Sequence, residues 1–411
     1  MRILVLSSVF PNPKQPTFGT FVHARAARMA ARHETVVVAP IPWFPLNRLF
    51  RGASRSGIPR VETQGTLTVH HPKVLSVPGV LKALDGIFYF VSVLPTIARI
   101  RRRFPFDVID AHFAYPDGLA AWLLGKAFRC PVTVTLRGTI VPLSRYRLRR
   151  IQIRWVLAGV NRIFAVSDSL KAVAVGLGTP GDKIRVIPNG VDTVRFGPAS
   201  SAEARRALGL PPDRRILLSV GTLSPRKGHQ RVIDVLPRIL TTHPDLLYVV
   251  LGGPGVEGDT GPLLERLIAQ HGLHDHVRLL GALPHEEVPR WLAAADLFCL
   301  ATTNEGRANV ILEALACGAP VVTTDVGGSR EVIADGTDGL LVAPGDPAAL
   351  TAALLRALSM AWDREAIARR AAGRTWEQTV DDLSEELGVL AGVPTPAFAG
   401  ATGISSGSPR R

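Results

Sequence analysis

The residues best suited to chemistry lie in one segment, NEGRANVILEALACGAPVVTTDVGGSREVI, from Asn304 to Ile333. Glu305 and Glu313 are separated there by seven residues. An apolar run ahead of them, Leu297–Leu300, reads as a strand, and a helix is expected from near Ala308 to Gly318. That places Glu313 about one and a half turns into the helix and Glu305 in the loop before it. Free amides at such a helix start can hold phosphate oxygens or sugar hydroxyls. A loop carboxylate accepts hydrogen bonds from polyol groups, and the second carboxylate suits a ribose diol.

A second pair, Arg226 and Lys227, follows the apolar run Ile216–Val220 and opens a helical segment. Cations at a helix N-terminus oppose its dipole, so a bound anion is the better explanation of them. Adjacent cations suit a nucleotide diphosphate. Three further positions stand at the ends of apolar runs. Gly19 lies in the Pro/Gly-rich loop after Ile3–Ser7, where glycine lets backbone approach a ligand closely. His112 follows Val108–Ala111, and Arg137 follows Val132–Leu136.

The elements that must position these groups alternate along the chain. Strands are expected at Ile3–Ser7, Thr35–Ala39, Leu67–His70, Val108–Ala111, Val132–Leu136 and Arg162–Ala165. Helical stretches such as Phe21–Ala31, Leu94–Arg103, Leu119–Phe128 and Ser169–Val175 lie between them. Strands apolar nearly throughout are buried on both faces, as in parallel sheets joined by right-handed crossovers. After a turn-rich break from Pro188 to Arg215 the pattern restarts, with strands at Ile216–Val220, Leu247–Leu251, Val277–Leu279, Leu297–Leu300, Val321–Thr324 and Gly339–Val342. The expected fold class is therefore α/β, two doubly wound Rossmann-like domains facing across a deep cleft. The boundaries fall at 1–197 and 198–375, followed by an amphipathic helix over 376–391 packing back toward the N-terminal domain. The tail 392–411, rich in Gly, Ser, Pro and Ala, reads as disordered.

The length of 411 residues fits two or three domains. Three scattered cysteines, Cys130, Cys299 and Cys317, exclude a disulfide framework or a structural zinc site. The net charge of +14 is uneven. Residues 1–195 carry 28 Lys and Arg against 9 Asp and Glu, and residues 196–411 carry 20 against 25. A basic half facing something anionic follows: a membrane surface, a phosphorylated substrate or nucleic acid, against the plainer reading of a solvated surface. Two clusters stand out, Arg99 with Arg101, Arg102 and Arg103, and SRYRLRRIQIRW over Ser144–Trp155. The latter, if helical, is a cationic amphipathic surface suited to anionic lipid. The longest apolar run, near Ile87–Ala98, is too short to span a bilayer and contains Pro95. No convincing signal peptide opens the chain. A cytoplasmic protein is expected, peripheral on the cytoplasmic face of the inner membrane if the basic stretches bind it.

The Asn304–Ile333 segment resembles the Glu-x7-Glu signature of the large retaining glycosyltransferase family 4, which has the GT-B fold. Ser219–Leu236 (SVGTLSPRKGHQRVIDVL) resembles the family's strand and basic loop, and Val186–Phe196 (VIPNGVDTVRF) its interdomain segment. Val9–Val22 and Ala111–Ala121 resemble its acceptor-side loops, most of all those of the bacterial teichuronic-acid and exopolysaccharide branch. The resemblance implies a nucleotide-sugar donor, UDP- or GDP-linked, at Gly19, Arg226, Lys227, Glu305, Gly306, Arg307, Ala308, Asn309, Val310 and Glu313. It implies an acceptor, a glycan or lipid-linked glycan, beside His112 and Arg137. Catalytic roles fall to Glu305, Arg226, Lys227 and His112. Glu331 is expected to brace its loop. This sequence departs from the pattern at Thr222, where many members have Arg, at Ile140, where relatives often have Asp, and at Arg307 and Ala308.

No Asp-x-Asp segment is placed to hold a metal at the diphosphate, so neither metal nor cofactor is expected and the cations and helix amides would replace the metal. Transfer would retain the anomeric configuration through positioning and charge stabilisation, the departing phosphate oxygen taking the acceptor proton. A sugar-nucleotide 2-epimerase of the same architecture predicts product without any acceptor. A non-catalytic nucleotide-sugar or anionic-surface binding protein is the non-enzymatic rival. No G-x-G-x-x-G follows the first strand, which argues against a dehydrogenase. No recognisable module supports nucleic-acid binding.

Overall fold

The computed structural model describes residues 1–45, 57–77, 79, 81–255 and 258–393. The expected disorder of 392–411 falls, beyond Val393, outside the described residues. The N-terminal half runs β1 (Arg2–Leu6), α1 (Thr20–Ala30), β2 (Glu34–Val38), β3 (Ile41–Trp43), β4 (Val61–Gln64), β5 (Leu67–His70), β6 (Lys73–Leu75), α2 (Asp85–Arg103), β7 (Val108–His112), α3 (Asp117–Phe128), β8 (Val132–Leu136), α4 (Ile140–Leu143), α5 (Arg147–Gly159), β9 (Arg162–Ala165), α6 (Asp168–Gly176) and β10 (Ile184–Val186). Eight of these strands form one sheet in the order β10-β9-β8-β7-β1-β2-β5-β4. β7 and β8 are buried at every residue, because helices cover both faces.

Two expectations are corrected here. The sheet is not parallel throughout: β4, absent from the sequence reading, pairs antiparallel with β5 at the edge. β4 alternates exposed and half-buried residues, so it lacks the apolar run that marks the inner strands. The helix expected over Leu94–Arg103 begins at Asp85 and carries Pro95 inside it. Tyr89, Val93, Ile97 and Ile100 of this helix are buried against the sheet. Burial of such side chains is worth about 1.5–3 kcal/mol each and outweighs the local loss at proline.

The second half runs α7 (Ser201–Ala207), β11 (Arg215–Val220), α8 (His229–Leu240), β12 (Leu246–Leu251), α9 (Gly261–Gln270), β13 (Val277–Leu279), α10 (Val288–Ala294), β14 (Leu297–Leu300), α11 (Asn309–Ala316), β15 (Val321–Thr324), β16 (Gly339–Val342), α12 (Pro347–Ser359) and α13 (Arg364–Ala371). Its six strands are all parallel, in the order β13-β12-β11-β14-β15-β16. All three cysteines are buried free thiols.

The last helix, α14 (Trp376–Ala391), returns to the first half. Val380, Leu383 and Leu387 join the core built by Ile3, Val5, Val22 and Met29. Arg28 pairs with Asp192 and Glu377, Arg32 with Asp381, and both Arg162 and Arg185 with Glu386. The crossing point admits only glycine at position 190, where a Cβ would stand 2.1 Å from Thr375 backbone.

Among its parallel strands each sheet reverses order once, beside β1 and beside β11. Crevices of doubly wound sheets open at the carboxyl ends of such strands. Gly19, His112, Arg137, Arg226, Lys227 and Glu305 all lie there, at or just after β1, β7, β8, β11 and β14.

Candidate active site

The site grows from five strand ends. After β11 the chain makes a short turn, and Lys227 N–H donates to Ser224 O. Gly228 then starts α8 with φ +80, and a Cβ there would stand 1.9 Å from Ala301 O. The turn is thereby pressed against the end of β14, and both of its cations reach the neighbouring loop. Lys227 Nζ and Arg226 Nη1 each donate to Glu305 Oε1 at 2.7 Å. Arg226 Nη1 also donates to Asn304 O at 2.9 Å. Burial alone would push the Glu305 carboxyl up, but Lys227 and Arg226 reverse this and hold it below the usual range. Two cations thus converge on one carboxylate at the edge of the cleft, and side chains of this kind suit a diphosphate.

α11 opens just after this loop, with Ala308 extended before it, no side-chain cap and no acidic residue in its first turn. Such a start presents its amides to an anion. Ala308 is buried in the core of the second half and Val310 packs against it, which leaves their backbones for ligand contact. Asn309 Oδ1 accepts from Asn189 Nδ2 of the interdomain segment at 2.8 Å. Arg307 has Glu331 and Arg374 as its charged neighbours, and burial lowers its pKa. Glu313 lies in the second turn, 3.5 Å from His285 Nε2. Arg195 Nη1 donates to His285 Nδ1 at 2.9 Å, so Nε2 carries the proton that faces Glu313.

On the opposite wall, Gly19 begins α1 with φ +79. A Cβ there would stand 2.6 Å from Val9 O, so only glycine lets the loop after β1 fold onto the helix start. His112 is 1% exposed and Arg137 6%. Arg137 Nη2 donates to His112 Nδ1 at 3.2 Å, and its guanidinium lies over the Phe21 ring, 4.4 Å from the centroid. Burial, with Arg25 and Arg137 beside it, pushes the His112 pKa well below its ordinary value. His112 is thus a neutral group behind Arg137. Phe113, the next residue, has φ +74, an unusual conformation for a bulky side chain and a mark of strain at this strand end.

The two walls touch. A Cβ on Gly138 would stand 2.8 Å from Gly306 N, and Asn304 Nδ2 donates to Gly138 O at 3.4 Å. Glu331 does more than brace its own loop. Its two carboxylate oxygens accept from Asp168 N and Ser169 N, both at 2.9 Å, at the start of α6 in the other half. The sequence reading passed over Asn189, His285, Gly138 and Phe21. Asn189 stands in the quoted interdomain segment and Gly138 directly follows Arg137, but nothing in the sequence brings His285 to Glu313.

Comparison with known proteins follows this division. Residues 18–195 match the model described as Glycosyltransferase Family 4, and residues 200–374 that of Glycosyl transferases group 1. The putative teichuronic acid biosynthesis glycosyltransferase TuaC of Bacillus subtilis is 30% identical, covering 87% of this chain and 89% of that protein. A GDP-mannose-dependent alpha-(1-6)-phosphatidylinositol monomannoside mannosyltransferase of Mycolicibacterium smegmatis is 30% identical, covering 91% and 93%. A D-inositol 3-phosphate glycosyltransferase of Geodermatophilus obscurus is 34% identical over 68% of this chain, which spans 65% of that protein's length. Among solved structures, the sucrose-phosphate synthase of Thermosynechococcus elongatus superposes with a TM-score of 0.73 at 22% identity, covering 95% of this chain and 98% of that one. Anabaena Alr3699/HepE, solved in complex with UDP-glucose, also gives 0.73, at 20% identity and covering 95% and 100%. These likenesses carry the GT-B fold, and the chain belongs to glycosyltransferase family 4 and is a glycosyltransferase.

Proposed function

We propose that the protein transfers a sugar from a UDP- or GDP-linked donor, with retained configuration, to a glycan or lipid-linked acceptor in cell-surface or exopolysaccharide synthesis. The observation that carries this is the Lys227–Glu305–Arg226 cluster, placed beside the uncapped start of the helix that bears Glu313. The diphosphate lies against Lys227, Arg226 and the first amides of α11. Glu305 turns its remaining lone pairs to the sugar hydroxyls, and Glu313 takes the ribose diol. As the bond to the sugar breaks, charge grows on the diphosphate, where fixed cations and amides stabilise it without reorganising. The leaving oxygen takes the acceptor proton on the same face. His112 and Arg137 stand on the acceptor side. Among relatives, TuaC is named for teichuronic acid synthesis and the mycobacterial enzyme for GDP-mannose. These names frame the choice of donor and acceptor.

The reading places the protein on the cytoplasmic face of a membrane. No helix among the described residues is long and apolar enough to cross one. α5, however, buries Ile153, Val156 and Leu157 and leaves Leu148, Ile151 and Trp155 exposed among Arg147, Arg150 and Arg154. An apolar stripe flanked by arginines suits an anionic headgroup layer.

The test is a binding screen against UDP, GDP, ADP and their sugars, with and without a chelator. Selective binding of one nucleotide, weakened about tenfold or more in Lys227→Ala and Glu313→Ala, is the expected result. Product formed without acceptor would favour the 2-epimerase. A folded protein that binds no nucleotide would sink the site.

A further inference from the structure

We propose that Arg137 is the receptor for a fixed negative charge, carboxylate or phosphate, on one of the two sugar substrates. The inference rests on the transferase reading above and narrows its substrate class.

Charge balance beneath the cleft is the starting point. Arg25 Nη2 donates to Asp110 Oδ2 at 2.7 Å, and Thr133 Oγ1 donates to Asp110 Oδ1 at 2.8 Å. Both oxygens of this buried carboxylate are therefore engaged. Arg137 has no carboxylate within ion-pair distance among the described residues. Its partners are a neutral imidazole and an aromatic face. Asp110 offsets Arg25, and the buried group retains one uncompensated positive charge. Burial lowers the Arg137 pKa to about 9, which still leaves the guanidinium charged at neutral pH.

Hydrogen bonding tells the same story. Among the described residues, Arg137 Nε, His112 Nε2 and Arg25 Nε are all buried without a hydrogen-bond partner. Arg137 fixes the tautomer of His112, because donation to Nδ1 leaves the proton on Nε2. That proton points at best weakly to Asp110, with Oδ2 3.7 Å away. A buried unpaired ion is costly, and stranded donors add to the cost. Such a cost is expected where a ligand completes the site.

The placement fits a sugar's charge better than the diphosphate. The diphosphate cations, Lys227 and Arg226, follow β11 in the other half. Arg137 follows β8 and precedes Gly138, which touches Gly306 beside Glu305. Phe21, beneath its guanidinium, comes two residues after Gly19. A group bound at Arg137 thus sits where the two walls meet. A planar guanidinium matches carboxylate and phosphate oxygens in pairs.

Calorimetry on the full chain tests this in two arms. With the selected nucleotide saturating, glucose, mannose and galactose are titrated against their uronates and 6-phosphates. Separately, UDP-glucose is compared with UDP-glucuronate. The expected result is a preference of about ten- to a hundredfold for the charged sugar in one arm. The first arm assigns the charge to the acceptor, the second to the transferred sugar. The preference should vanish in Arg137→Gln and persist in part in Arg137→Lys, while both variants bind the nucleotide as wild type does. Wild-type protein that binds nucleotide but prefers no charged sugar overturns the proposal and leaves the transferase reading intact. So does a preference that survives Arg137→Gln, or one lost only in Lys227→Ala. If no nucleotide binds, the transferase reading fails, and the first arm repeated without nucleotide still decides whether Arg137 holds an anion.

Discussion

Asp117→Asn should abolish a pH dependence of stability built into the N-terminal half. Asp117 is the first residue of α3 and has no exposed surface. Its carboxylate accepts from Ser8 N, from Ser8 Oγ at 2.9 Å and from Tyr89 Oη at 3.5 Å. Burial raises its pKa from 3.8 to about 7, against the lowering effect of those hydrogen bonds. The folded value exceeds the unfolded one, so the native state holds this proton longer. The contribution is complete below the unfolded pKa, falls as pH rises, and is lost once pH passes about 7. A shift of about three pH units corresponds to roughly 4 kcal/mol. Asparagine stays neutral throughout and still accepts from Ser8 N. Urea unfolding of both proteins between about pH 4 and pH 8 reads the difference. The variant should gain steadily on wild type up to neutrality and then run parallel. Burial also lowers His33 and His229 to about 4, but these groups are common to both proteins and cancel. Parallel curves over the whole range would show that burial does not hold the proton.

Three further outcomes are expected. Glu331→Ala removes the acceptor of Asp168 N and Ser169 N, an exposed contact worth about 1 kcal/mol, so donor KM should rise up to about fivefold and X-ray scattering should show a more open particle. An unchanged KM and radius would mean the contact does not govern closure. Gly138→Ala sets a Cβ 2.8 Å from Gly306 N, and turnover should drop about tenfold or more with nucleotide affinity retained. Wild-type turnover in that variant would exclude close approach of the two loops from the reaction. His285→Ala frees Glu313 from its neighbour, so discrimination between a ribonucleotide and its 3′-deoxy analogue should fall about three- to tenfold; equal loss of affinity for both would assign His285 to general packing instead.

Much of the architecture was legible because buried parallel strands announce themselves. Runs such as Leu297–Leu300 and Leu247–Leu251 are apolar on both faces, and no other local structure explains them as well. β4 was illegible for the opposite reason, since an edge strand solvated on one side carries no such run. The Glu305 loop and the Arg226–Lys227 turn could be singled out as candidates, since carboxylates and cations just past a strand serve no packing purpose.

The roles of Glu331 and His285 were not readable. Glu331 stands in a loop of one half, and its acceptors' partners are two amides 163 and 162 residues away. His285 gains meaning only because α10 and α11 set it beside Glu313. The charge state of His112 is likewise a property of the folded protein. Its sequence neighbours are apolar, and only strands β7 and β8 lying side by side bring Arg137 onto its Nδ1. Sequence determined which groups stand at the strand ends, because burial periodicity and turn chemistry are local. Tertiary structure decided which of those groups share a proton, a charge or a hydrogen bond, because Coulomb and hydrogen-bond terms depend on distance across the cleft and on burial, and neither is written along the chain.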